Sequence, residues 1–226
     1  MSPKKALVLG TILLVPVLAF LFLKMFGVNR YSLRTYFPVS VDSTLVEGRW
    51  QYDTVFHRVP SFPLISQTGD TLTSQALQDK IYVANFFYTT CQGVCKQTST
   101  QLARVQDAFR FQPDVKILSY SIHYTHDSVP VLRQYAKSFR ADASKWFFLT
   151  GSKDQVEQLM MGYYVNARYA PDGFPTLENG EQLYLLDKQG HVRGIYDGTD
   201  ATEIDKLITE INVLLSEYEV SHEKPS

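Results

Sequence analysis

Cys91 and Cys95 are the only thiols in this 226-residue chain, and they stand four positions apart around Gln92, Gly93 and Val94. An apolar run precedes them and a segment with helical periodicity follows, so both fall where a strand gives way to a helix. The open N-terminus of a helix presents unpaired N–H groups and partial positive charge, which stabilise a thiolate. Reactive thiols are therefore expected. Residues four apart on a regular helix hold their Cβ atoms about 5–6 Å apart, whereas a disulfide needs roughly 3.5–4.5 Å. Closing the pair thus requires Cys91 to lie in the loop before the helix, and Gly93 lets the backbone adjust at small cost. On this reading Cys91 is the more exposed and nucleophilic thiol of a reversible disulfide. Two soft sulfur donors can also hold a thiophilic metal. Copper as Cu(I) fits better than zinc, which normally takes four protein ligands in a structural site, and better than Cu(II), which prefers added nitrogen or oxygen donors. The plainer alternative is that two small apolar residues merely pack beneath the start of the helix.

The histidines offer fewer candidates. His123 stands at the carboxyl end of a second apolar strand, on the sheet edge to which the first strand delivers Cys91, so it is weighed as a third metal ligand or proton donor against an ordinary solvent-facing loop residue. His126, three residues further along, is a weaker candidate. His57, His191 and His222 read as surface residues. The aromatic groups Phe86, Phe87, Tyr88 and Trp146, Phe147, Phe148 read as core, each buried ring contributing on the order of 1.5–3 kcal/mol. No Ser/His/Asp arrangement, phosphate-binding loop or dinucleotide fingerprint occurs, which leaves hydrolase and nucleotide readings without support.

The elements that must position these residues can be traced along the chain. Ala6–Leu23 carries no charge and, at about 1.5 Å per residue, reaches roughly 27 Å, close to the thickness of a bilayer's hydrocarbon core. Residues 6–27 are expected to be an uncleaved, single-pass transmembrane anchor behind a short flank, 1–5. Lys4 and Lys5 before the span are matched by Lys24, Arg30 and Arg34 after it, so the positive-inside rule does not orient it. Residues 28–54 lack clear periodicity and read as a linker, 55–218 as one domain, and 219–226 as a polar tail.

Within the domain, Val55–Val59 and Phe62–Ile65, with a turn at Gln67–Asp70 and a return at Thr71-Leu72, suggest an opening hairpin. Ile81–Tyr88 is almost continuously apolar, as for a mid-sheet strand buried on both faces. Val94, Leu102, Val105, Ala108 and Phe109 suggest a helical stripe, and Val115–Ile122 a parallel strand completing a βαβ unit. A helix capped by Asp127 or Ser128, a strand at Trp146–Leu149 and a helix capped by Ser152 follow. A hairpin at Gln182–Tyr196 and an amphipathic helix from Thr202 close the chain. That order predicts an α/β, thioredoxin-like fold with a central mixed sheet flanked by helices. With 22 basic and 23 acidic residues the formal net charge is −1, which gives no electrostatic footprint for nucleic acid.

The segments His57–Leu64 (HRVPSFPL), Gly69-Asp70, Ile81–Tyr88 and Thr89–Cys95 (TTCQGVC), with Val105-Gln106, resemble the SCO/SenC family. Ser121-Ile122 with Asp127, Gly151–Asp154 and Leu185–Gly190 (LLDKQG) match its later landmarks in order. The resemblance spans nearly the whole chain after the linker. It implies an extracytoplasmic, membrane-anchored protein that binds copper and helps build the copper centre of cytochrome c oxidase, by delivering metal to the copper-bearing subunit or by keeping acceptor cysteines reduced. Three roles for Cys91 and Cys95 remain open on these grounds: copper delivery to that subunit or another copper or thiol protein, thiol-disulfide exchange, and redox sensing without turnover. Three departures stand out. Gln92 and Lys96 occupy positions where the family often has proline. Asn179, counted back from Gly190, stands where the family has its histidine copper ligand, and an amide is a poor ligand for Cu(I). At His123 the family usually has an acidic residue. Copper is therefore expected on Cys91 and Cys95 alone, or with His123 as third ligand.

Overall fold

The structure is a computed structural model that describes residues 3–26, 32–46 and 48–222, in two units, 1–32 and 33–226. The first unit is a helix, α1 (Pro3–Phe26), with Pro16 inside it. Of the expected anchor 6–27, residue 27 and the side chains of residues 6–10 and 23–26 lie outside the described residues. Among the described residues no helix is long and apolar enough to cross a membrane.

The second unit begins with an antiparallel ribbon, β1 (Pro38–Val46) and β2 (Arg49–Phe56), that forms its own two-stranded sheet. The segment 28–54, expected as a linker, therefore contains regular structure. Cross-strand partners Val41/Thr54, Ser43/Tyr52 and Leu45/Trp50 share one side, while Asp42/Asp53 and Thr44/Gln51 share the other. The alternation is thus present in the sequence, but Ser43 and Thr44 dilute it. Val55 belongs to this ribbon rather than to the opening hairpin, which consists of β3 (Leu64–Ser66) and β4 (Thr71–Leu72). Gly69 takes φ +96° in the turn between them, a conformation open to glycine at no steric cost.

The rest of the chain supplies β5 (Ile81–Phe87), α2 (Val94–Ala108), β6 (Val115–Ser121), α3 (Val129–Ser138), β7 (Trp146–Thr150) and α4 (Lys153–Gly162). It continues through β8 (Ala167–Tyr169), β9 (Pro175–Leu177), β10 (Gln182–Leu186), β11 (Val192–Asp197) and α5 (Ala201–His222). The main sheet has the order β11-β10-β5-β6-β7-β3-β4, in which β5, β6 and β7 run parallel and the remaining pairs are antiparallel. Because successive side chains of a strand point to opposite faces, β5 feeds two cores. Ile81, Val83 and Phe87 pack with Leu102, Leu132, Ile204 and Leu207, from α2, α3 and α5. Tyr82, Ala84 and Phe86 pack with Val156, Leu159 and Tyr163 around α4. Helices thus cover both faces, as expected for the mixed sheet. Val94 and Ala108, expected on the buried stripe of α2, are exposed, and Thr98, Ser99 and Gln106 are buried instead. Ser99 and Gln106 can face inward because partners meet them: Ser99 Oγ lies 3.2 Å from Tyr135 Oη, and Gln106 bonds the backbone of Arg140 and Asp142, while the buried Thr98 Oγ1 has no hydrogen-bond partner.

Candidate functional site

The site grows from the carboxyl ends of β5 and β6, where two parallel strands release their chains side by side. After Phe87 the chain turns through Tyr88, Thr89 and Thr90, and Cys91 N donates to Tyr88 O at 3.1 Å. Gly93 is the N-cap of α2 with φ +84°. A Cβ there would meet nothing within 4 Å, so the backbone angle rather than crowding is what favours glycine. Cys95 sits in the first turn of α2, and its sulfur is bonded to that of Cys91, with the two Cα atoms 5.9 Å apart. Cys91 lies in the loop, where closure requires it. Its exposure exceeds that of Cys95 only slightly, 7% against 2%, so both sulfurs are shielded in the disulfide form.

A buried carboxylate fastens this loop. Asp127 is fully buried. It accepts hydrogen bonds from Thr89 N at 3.0 Å, from Thr89 Oγ1 and from Ser121 Oγ, and it lies 2.9 Å from His126 Nδ1. One side chain therefore joins the cysteine loop, the end of β6 and the loop leading to α3. Of the two expected capping residues, Asp127 and Ser128, it is Ser128 that occupies the N-cap position of α3, and its side chain makes no capping hydrogen bond. Tyr135 of α3 packs against Phe87 with the rings tilted by 32° and their centroids 5.2 Å apart. Burial pushes its hydroxyl pKa up and the nearby Asp127 charge adds to the effect, while the Ser99 hydrogen bond opposes them.

His123 and His126 lie on the loop that Asp127 holds. Their rings stack at 5.0 Å with 20° between planes. The His123 ring also meets Phe174 edge-on at 5.8 Å and Tyr88 at 6.4 Å. Its Nδ1 is buried without a hydrogen-bond partner. Phe174 comes from the short β8–β9 hairpin, which sequence periodicity did not reveal because its strands have three residues each. Asn179 is an exposed residue in the left-handed region, φ +54°, between β9 and β10. Asparagine tolerates that conformation better than most residues. His57 and His191 take structural roles, with His57 Nε2 at 2.9 Å from Gly162 O and His191 Nδ1 at 3.5 Å from Asp187. The side chain of His222 lies outside the described residues.

The donor set suits thiol-disulfide exchange directly. Once two electrons reduce the disulfide, the same sulfurs form a soft, two-thiolate site for a metal such as copper. The missing signal in the sequence is Asp127, whose role depends on donors 38 and 6 residues away along the chain.

The SCO1/SenC family model matches residues 51–216. A SCO1 protein homolog of Bacillus subtilis is 24% identical over 166 residues, spanning 73% of this chain and 86% of that protein. A SCO1/SenC family lipoprotein of Bacillus anthracis superposes with a TM-score of 0.64 at 25% identity, covering 70% of this chain and 95% of its own. Arabidopsis thaliana ScoI, solved with copper bound, shares the fold with a TM-score of 0.58 at 23% identity, over 68% of this chain and 97% of its own.

Proposed function

Since the chain belongs to the SCO1/SenC family, we propose that it is a membrane-anchored copper and redox factor for assembly of the copper centre of cytochrome c oxidase. The observation that carries this reading is the joined Cys91–Cys95 pair at the N-terminus of α2. A fold shared with a copper-bearing ScoI supports copper as the cargo. In the reduced state the two sulfurs hold Cu(I), alone or with His123 as a third ligand. Exchange with an acceptor disulfide, which takes the two electrons and leaves as two thiols, oxidises the pair to the disulfide, removes both thiolates and releases the ion. The charge-free run Ala6–Leu23 and the helical backbone Pro3–Phe26 support a single-pass anchor. The disulfide supports an oxidising, extracytoplasmic location for the domain. Its acceptor is the copper-bearing oxidase subunit or another copper or thiol protein.

Asn179 favours a second reading. Without a histidine at that place, the same pair serves as a thiol-disulfide oxidoreductase that reduces acceptor cysteines: Cys91 attacks the acceptor disulfide, and Cys95 resolves the mixed disulfide. The two readings separate in one experiment. Protein purified reduced and without oxygen is challenged with a Cu(I) chelator beside a Cys91→Ser/Cys95→Ser control. Copper retained by the unaltered chain and lost by the control is the expected result. No retention together with intact disulfide exchange would replace copper delivery by the oxidoreductase reading.

A further inference from the structure

The geometry points to a second metal site that uses no sulfur: His123 and His126, held by Asp127, bind a divalent cation of the imidazole-preferring class, with Cu(II) first. This deepens the proposed function, because it supplies a place for copper while Cys91 and Cys95 are joined and unable to ligate. The ligand atoms of His123, His126 and Asp127 all lie within 4.8 Å of one another. Metal–nitrogen bonds of about 2.0–2.1 Å place two ligands of one ion no more than about 4 Å apart, so closure requires the stacked rings to turn until their in-plane lone pairs converge. His126 can make that turn, since its side chain is 46% exposed.

The chemistry of each group agrees. Asp127 is surrounded by Thr89 N, Thr89 Oγ1, Ser121 Oγ and His126 Nδ1, which fills a carboxylate's acceptor positions. It is therefore a positioning residue rather than a ligand. Its contact with His126 Nδ1 fixes the ring and its tautomer and leaves Nε2 for a metal, the usual carboxylate–histidine–metal relationship. His123 adds the stronger indication. Its Nδ1 is buried with no hydrogen-bond partner, and a buried polar atom in that state calls for a ligand or proton partner. Tyr88 and Phe174 wall the ring on its other sides, which keeps competing water away. Neutral imidazole suits Cu(II) and Zn(II), and at a given nitrogen site Cu(II) binds more tightly. Neither histidine depends on the sulfur pair, so the site persists in the disulfide form seen here.

The test uses the full chain carrying Cys91→Ser/Cys95→Ser, titrated with Cu(II) in the presence of glycine as competitor and read by electron paramagnetic resonance. The expected result is stoichiometric Cu(II) with nitrogen hyperfine structure, retained against an equal concentration of Zn(II). His126→Gln or His123→Gln in that background should lower the affinity at least about tenfold, and Asp127→Asn about 10–100-fold. Circular dichroism checks that each variant is folded, and the two glutamine variants keep the test decisive if Asp127→Asn is not. No binding by the cysteine-free chain, or binding that neither glutamine variant alters, overturns the site. Failure of the unaltered chain to retain Cu(I) would count against the proposed function alone and leave this Cu(II) result standing.

Discussion

Strand β5 and the β1–β2 ribbon are both rich in aromatic and β-branched residues, yet every residue of β5 is buried and nearly every residue of the ribbon is exposed. Partners account for the difference. β5 is hydrogen-bonded to β10 on one side and β6 on the other, and cores form on both of its faces. The ribbon's strands bond only to each other. A two-stranded ribbon gains little stability by itself, whereas a strand locked on four sides can hold its end residue in place. The reactive pair leaves from that locked strand. The cysteine loop thus leaves from a strand paired on both edges and packed on both faces, which gives a short loop a fixed starting point.

Three substitutions test that contrast, in order of expected effect. Phe87, the last residue of β5, packs on Tyr135 and Phe148 with ring centroids 5.2 and 5.4 Å away. Phe87→Ala should cost about 3–5 kcal/mol in denaturant unfolding. A loss below about 1 kcal/mol would mean that β5 is not the rigid root of the site. Next comes Asp127→Asn. An amide has one acceptor atom where the carboxylate has two, so it cannot serve Thr89 N, Thr89 Oγ1 and Ser121 Oγ together. A destabilisation of about 2–3 kcal/mol is expected, together with faster alkylation of Cys91 in the reduced protein. Unchanged alkylation would show that the loop keeps its place without the carboxylate. The smallest effect should come from the ribbon: Trp50, 61% exposed, changed to alanine should alter stability by no more than about 0.5 kcal/mol. A larger loss would reveal that the ribbon is held by contacts beyond its own pairing.

Much of this architecture is legible in local pattern. The almost continuously apolar run of β5, interrupted only by Asn85, needs only the rule that a strand covered on both faces loses its alternation, and Ser152 with Gln155 forms the capping box that its spacing allows. Cys91 lies in the loop because a four-residue spacing cannot close within a regular helix. Where the reading departed from the structure, the signals were short or diluted. Strands of three residues, as in β8 and β9, carry too few positions to establish a period. The ribbon's alternation is interrupted by hydroxyl residues.

The sequence by itself determined the cysteine pair, the strand that delivers it and the order of elements that makes the sheet, because each depends on residues close together in the chain. Only the tertiary structure decided that Asp127 turns inward rather than capping a helix, since its donors come from β5's exit loop and the end of β6. It also decided that Phe174 from a distant hairpin walls His123, and that His123 and His126 stack as a pair. A side chain chooses between solvent, a backbone cap and a buried partner according to what the fold brings within about 3 Å of it. That choice is made by elements far apart in sequence, and no local pattern records it.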